Sequence, residues 1–328
     1  MRLAPLALSA ILLAAAFPAR AAEGGAPVQL VPHRAVYDLS LLRSQGSQGV
    51  EGARGRIAFD FAGDACEGYT LKYRQVTVLE SNESGPRTLD VRTATFESGD
   101  GRSMRFKTDS TLQGLPDDNV DGEAKAEAGG IAVRLKTPKA EAFSLPGAAV
   151  FPSEHLKRLI KAAQAGETSL AIKLFDGSDD GKKVYDTYAV IGRRIEPGAG
   201  ANLEGAAKQE AVSKLARWPV SVSYYKAGAG DQVPVYAISF ELYENGISRA
   251  LRLDYGDFVL KGEMQSLEVL PASGGAIPFC RIPAPKRSRR RSTAASTCAW
   301  RTTSRSARSP RSASAASQRS DAPMPMRR

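Results

Sequence analysis

Residues 234–271 read PVYAISFELYENGISRALRLDYGDFVLKGEMQSLEVLP, and the alternation within this stretch decides the fold class. Asn245-Gly246 is a strong hairpin signal, because a two-residue type I′ turn needs positive φ at both central positions and these residues tolerate it. With Glu244 facing Ile247, the pairs further out are Leu242 with Arg249, Phe240 with Leu251, Ile238 with Leu253 and Tyr236 with Tyr255. One face of the ribbon is then apolar and aromatic, while Ser239, Glu241, Arg252 and Asp254 fall largely on the other. Tyr255-Gly256-Asp257-Phe258 turns the chain into a third strand.

The same period of two runs through the preceding sequence. Ala35, Tyr37, Leu39 and Leu41 alternate with polar residues, as do Ile57, Phe59 and Phe61, and then Tyr69, Leu71 and Tyr73. RTLDVRTATFE and RSMRFKTDST continue the series, and WPVSVSYYK adds a strand before the opening stretch. Strands spaced in this way, with Gly, Asp and Ser between them, predict an antiparallel all-β sandwich, barrel or related sheet. A single helix interrupts at FPSEHLKRLIKAAQAG: Ser153 is a candidate N-cap, Leu156, Leu159, Ile160 and Ala163 form a stripe, and Gly166 suits the C′ position. Residues 197–213 read as a loop or a short weak helix.

Residues 1–22 have the pattern of a secretory signal peptide: a basic residue, an apolar run from Leu3 to Phe17, then Ala19-Arg20-Ala21. Cleavage after Ala21 or Ala22 would release an exported soluble chain, and no later stretch is apolar for long enough to span a membrane. Residues 281–328 carry thirteen Lys or Arg against the single Asp321, so the high net charge belongs to this tail. The folded part, residues 23–280, is mildly acidic, which argues against a nucleic-acid groove. The tail's Arg/Ser/Ala/Pro composition predicts disorder. It reads either as an RS-like nucleic-acid segment or as a GC-rich gene translated out of frame, and we favour the second.

Three cysteines are present, Cys66, Cys280 and Cys298. In an oxidising compartment two of them should pair. Cys298 lies in the low-complexity tail, so we read Cys66 with Cys280, against the alternative of two unpaired thiols. Such a bond would tie together the first and last strands, the two ends of the sheet.

Catalytic and metal chemistry find little support. The two histidines, His33 and His155, lie outside any nucleophile-elbow sequence and read as ordinary surface or hydrogen-bonded residues. Asp176-Gly177-Ser178-Asp179-Asp180-Gly181 matches half of a calcium loop, but Thr187 stands where a bidentate Glu is needed, so a solvated hairpin turn is the reading. Asp117-Asp118-Asn119 reads as a similar acidic turn. Tyr69, Tyr73, Phe96, Phe106, Trp218 and Tyr224, with Tyr225, Tyr236, Phe240 and Phe258, could line a lipid or glycan cavity, but read more simply as core and cross-strand partners. We expect no catalytic residues, no cofactor and no metal.

Taken as an ordered set, YDLSL, GRIAFDFAGDACEGYTLKYRQVT, FPSEHLKRLIKAAQAG, FDGSDDGKKVYDTYAVIG, WPVSVSYY and the opening ribbon resemble the envelope integrity protein B family of periplasmic alphaproteobacterial proteins, over residues 28–280. The resemblance implies a monomeric β-spiral resembling a broken barrel, with one packed helix and a disulfide mapping to Cys66 and Cys280. It also implies a non-enzymatic role in envelope integrity, exerted by binding an envelope protein or a lipid or lipoprotein component. The alternative is a carrier or sensor holding a lipid or lipoprotein acyl chain in the curved sheet. The tail departs from the family pattern.

Overall fold

A computed structural model describes residues 27–45, 50–82, 85–199, 203–228 and 233–271. The proposed leader, Cys280, Cys298 and the basic tail lie outside the described residues. The first arm of the chain contains β1 (His33–Ser44), β2 (Val50–Asp64), β3 (Gly68–Ser81), β4 (Arg87–Glu97), β5 (Ser103–Leu112), β6 (Leu115–Glu127), β7 (Gly130–Thr137) and β8 (Glu141–Pro146). Helix α1 (Pro152–Gln164) follows, and then β9 (Ser169–Leu174) and β10 (Tyr185–Ile191). A 3₁₀ turn (Gly205–Lys208) and the short α2 (Glu210–Ser213) precede β11 (Arg217–Lys226), β12 (Tyr236–Tyr243), β13 (Ser248–Asp254) and β14 (Phe258–Val269).

All fourteen strands form one antiparallel sheet in the order β8-β7-β6-β5-β4-β3-β2-β1-β14-β13-β12-β11-β10-β9. One meander therefore leaves the centre and a second returns to it. The first and last strands are neighbours, with Ala35 opposite Leu267 and Tyr37 opposite Met264. The sheet's edges are β8 and β9, which are consecutive in the chain and joined through α1. A disulfide near the two ends of the domain would thus reinforce an existing seam; the tie between edges that we expected is supplied by the helical connection.

A twisted sheet this wide curls rather than staying flat, and its inner face encloses α1. Leu159 and Ile160 of α1 are buried against Ala189, Ile191, Trp218 and Val222 of the returning arm and Phe61 and Tyr69 of the outgoing one. At the far end, Phe151 and Phe175, which flank α1 and β9, sit with Phe106, Val133 and Leu135 of β5 and β7. Val150 bridges in parallel to Leu174 and covers part of the β9 edge. Lys182 reaches the β8 edge, 2.5 Å from Glu141. The spiral is thus closed largely by side-chain packing, with little backbone pairing across the seam.

The opening ribbon differs from its expected register in an instructive way. Gly246 N donates to Tyr243 O at 3.0 Å and Tyr243 N to Ile247 O at 2.9 Å, so the turn holds three residues, with Gly246 alone at positive φ, +91°. Leu242 then faces Ser248, and Arg249 faces Glu241. A bulge between Ser239 and Glu241, where Ala250 takes φ +52°, restores the expected pairing of Ile238 with Leu253. The two-residue turn with both central φ positive occurs instead at Gln113-Gly114, between Leu112 and Leu115. Asp117 and Asp118, expected in a turn, are therefore strand residues of β6.

The shifted register creates a buried ion network. Glu241 accepts hydrogen bonds from Arg217, at 2.5 Å, and from Arg249; Arg249 also binds Glu204 at 2.6 Å. Burial would raise the Glu241 carboxyl, but the two guanidinium bonds outweigh it and hold the group below its usual range. Arg249 in turn anchors the segment before the 3₁₀ turn, whose Ala206 and nearby Val212 cover Tyr243 and Ile247. Removing one member strands buried charge, so Glu241→Ala should cost about 3–5 kcal/mol in urea unfolding. Arg54→Ala, which breaks only the exposed pair with Glu80, should leave the midpoint nearly unchanged.

Candidate functional site

The curl leaves space between the inner face of its outgoing arm and the β9–β10 connection. A cavity of about 610 Å³ lies over Phe59, Leu71, Tyr73, Val91, Thr93 and Thr108. A second, of about 370 Å³, is lined by Tyr185, Tyr224, Tyr236, Tyr255 and Lys226. Asp176, Ser178, Asp179 and Tyr224 line both, so the two meet at that connection. The period of two in β2 to β5 aims Phe59, Leu71, Tyr73 and Thr93 at this space, with Arg56, Lys72, Arg74 and Arg92 on the outer face.

The loop once readable as a calcium half-site is the roof of this space. Gly177 and Gly181 adopt φ of +73° and +71° and lie so close to the β5–β7 core that a Cβ at Gly177 would sit 2.5 Å from Phe106 Cγ. Only glycine permits both the conformation and the approach. The loop is therefore packed onto the core, where the sequence suggested a solvated turn. Asp176 accepts from Ser178 N at 2.9 Å, and Asp179 accepts from Lys183 Nζ at 2.9 Å and from the Tyr185 hydroxyl. Burial pushes the Asp176 carboxyl up. Asp118 is also raised, by burial first and then by the charges of Asp117, Asp179 and Asp180. Burial would raise Asp179 as well, but the bonds from Tyr185 and Lys183 hold it below its usual range. Among the described residues no cluster of three His, Cys, Asp or Glu is arranged to hold a metal ion.

The aromatic residues divide. Phe106 and Trp218 are core, 2 % and 3 % exposed. Tyr73, Tyr224 and Tyr236 face the cavities, joined by Tyr185 and Tyr255. Rings of Tyr185, Tyr224, Tyr236, Tyr255 and Phe258 follow one another at centroid separations of 5.0–6.1 Å. Alternation in β11 to β14 could have shown that these tyrosines share a face, but not that the opposite arm stops short of them.

A smaller chamber of about 180 Å³ lies at the N-terminus of α1, between Phe61, Tyr69, His33 and Glu97. Phe151 is the N-cap residue and offers no side-chain bond, and Ser153, expected as the cap, lies inside the first turn. Glu97 of β4 caps the helix instead, accepting from Ser153 N at 2.9 and 3.1 Å and from Ser153 Oγ at 3.0 Å. The C-terminus matches expectation: Gly166 N donates to Ala163 O and Glu167 N to Ala162 O, the Schellman pattern.

Both histidines are buried and hydrogen-bonded. His33 Nδ1 donates to Val31 O at 2.8 Å and stacks on Phe59. Thr187 Oγ1 donates to Ile172 O, so it accepts from His155 Nε2 at 3.0 Å, and burial lowers His155 to about 4. Each ring thus serves a local structural bond.

An open sheet curled round a helix and a concave, tyrosine-lined space defines a β-barrel-like protein. Residues 24–271 match the EipB-like family model, and the chain belongs to that family. It is 37% identical to the cell envelope integrity protein EipB of Brucella abortus (strain 2308) over 271 residues, 82% of this chain and 95% of that protein. A crystal structure of a β-barrel-like protein of a domain of unknown function from Brucella abortus superposes with a TM-score of 0.69 at 38% identity, covering 74% of this chain and all of that one.

Glu97 gives the site a measurable pH signature. Burial, only partly offset by the bonds from Ser153, lifts its pKa from 4.5 to about 7. The unfolded chain ionises this group near 4.5 and the folded chain retains the proton until about 7, so folding takes up a proton between those values. Its contribution is complete below pH 4.5 and is lost as pH rises through 7, by up to about 3 kcal/mol. Glu97→Gln keeps an acceptor for Ser153 and should remove this slope from a series of urea midpoints across that window.

Proposed function

We propose that this protein is exported to the periplasm and maintains the integrity of the cell envelope without catalysis, by binding another envelope component in the cavity of its curled sheet. The cavity on the concave side of the sheet carries this reading, together with the name of a relative matched along 95% of its length. The pattern of residues 1–22 supports export, and among the described residues no helix is long and apolar enough to cross a membrane. The apolar wall of Phe59, Leu71, Leu89 and Val91 favours a second reading, a carrier or sensor for a lipid or lipoprotein acyl chain.

The proposed Cys66–Cys280 disulfide is compatible with the topology. Cys66 lies in the turn after β2, where Asp64 Oδ1 accepts from Cys66 N at 2.7 Å. Val269 at the end of β14 faces His33, which faces Phe61 near the end of β2, so the chain leaves β14 at the end of the sheet that carries Cys66. Two strand spacings separate β14 from β2, about 10 Å. The residues from Leu270 to Cys280 can extend to at most about 35 Å, ample reach for the bond. The family match stops at residue 271, which supports a domain that owes nothing to residues 281–328.

In a strain lacking the gene we expect sensitivity to detergent and to inhibitors of cell-wall synthesis. Residues 1–280 should restore resistance, and residues 23–280 without the leader should not. Cys66→Ser should lower the melting temperature and the steady-state level, the loss of a native disulfide in an exported domain costing about 2–5 kcal/mol. Rescue by the leaderless chain would overturn the periplasmic reading. Extraction of the protein from its own periplasm separates the two readings of the cavity, since a copurifying acyl lipid favours the carrier.

A further inference from the structure

The two joined cavities differ in character along their length, and the tyrosine end constrains what can bind there. The hydroxyls of Tyr224 and Tyr236 have no hydrogen-bond partner among the described residues, yet no side-chain polar atom there is both buried and unsatisfied. These hydroxyls therefore open onto the cavity that both residues line. An acyl chain filling this end would leave both hydroxyls without a polar contact and Asp176 with only its bond from Ser178 N, and each such desolvated group is costly. A phosphate or carboxylate headgroup would meet Asp117, Asp118, Asp176 and Asp179.

Charge points the other way. Lys226 is the only Lys or Arg among the described residues lining the two cavities. Asp179 is matched by Lys183 at 2.9 Å, whereas no salt bridge among the described residues reaches Asp117, Asp118 or Asp176. The cation–π contacts of the described residues fall elsewhere, with Arg105 over Phe96, Lys157 over Tyr69, Lys182 over Phe143 and Arg217 over Tyr243. Tyr224, Tyr236 and Tyr255 carry no such cation. Electron-rich rings lining a concave site beside unmatched carboxylates are the chemistry that recognises organic cations.

We propose that the cavity takes an organic cation, an amine or quaternary ammonium group borne on an uncharged body, seated between Tyr224, Tyr236, Tyr255 and Asp176. The body extends along the Thr93 and Thr108 side of the larger chamber, or over its apolar wall. This inference rests on the reading of the protein as a binder of an envelope component and names the chemical class of that component.

The test uses the purified exported chain with tetramethylammonium and choline as probes, followed by tyrosine NMR shifts and calorimetry, and with glycerol phosphate and sucrose as anionic and neutral comparisons. Saturable binding of both cations at about 1 mM or tighter is expected, with no response to the comparison compounds. Asp176→Asn and Tyr236→Leu should each weaken binding by about tenfold. Asp118→Asn, at the exposed mouth, guards against misfolding of the interior variants and should weaken it by about twofold. Absence of saturation, an equal response to sucrose, or affinities unmoved by all three substitutions would sink the proposal. A chain that restores envelope resistance in vivo yet ignores both cations would sink it while leaving the proposed function standing.

Discussion

The fold depends on the seating of α1 inside the sheet. An antiparallel sheet of fourteen strands has two edges to protect, and exposed edges invite pairing with other chains. Here the edges are consecutive strands, so the connection between them can occupy the concave side and draw both arms round itself. Leu159 and Ile160, 2 % and 0 % exposed, supply burial on the order of 1.5–3 kcal/mol each. Phe151 and Phe175 extend the contact to the far arm. Because little backbone pairing spans that seam, closure rests on the shapes of these few side chains, and large-to-small changes there act on the curl as well as on the core.

Capping of the helix follows from its position. A solvent-exposed N-terminus could be satisfied by water or by its own Ser153, but this one points into the sheet beside Phe61 and Tyr69, where orphan N–H groups need a partner from the protein. Glu97 provides it from β4. The helix terminus favours the charged carboxylate while burial disfavours it, and burial wins. One interaction thus locks the helix to the outgoing arm and places a titrating group beside the small chamber.

Much of this architecture is legible in the sequence because its signals are periodic. Alternation in β1 to β5 and β9 to β14 identifies strands, and Leu156, Leu159, Ile160 and Ala163 identify the helix with its Gly166 terminus. Strands β6 to β8 are harder to read: Asp117, Asp118 and Asn119 look like turn residues, and β8 alternates Glu141, Phe143 and Leu145 over only six positions. The ion network was hidden for a different reason. Glu241 and Arg249 meet because the three-residue turn moves their pairing by one residue, and the bulge at Ala250 then restores the faces further out. Neither can be ranked from local propensity, since Asn-Gly also serves the turn that did not form. The cavity is less legible still, because it depends on how far two arms distant in sequence approach.

That last dependence explains why the interior is polar at one end and apolar at the other. Along β2 and β3 the inner face meets α1, and Phe61 and Tyr69 pack against it as ordinary core. Further along the curl the arms diverge, and the same alternation presents Thr93, Thr108 and the tyrosines to open space. Side chains at such positions escape the selection for tight packing that governs Leu159. They can therefore carry hydroxyls and carboxylates that a filled core could not hold without partners. The packed roof fixes one wall of this space, since the Gly177 backbone already rests against Phe106 and can come no closer. The core that closes the spiral therefore also shapes the cavity, and substitutions in the roof should alter cavity shape before they alter the sheet.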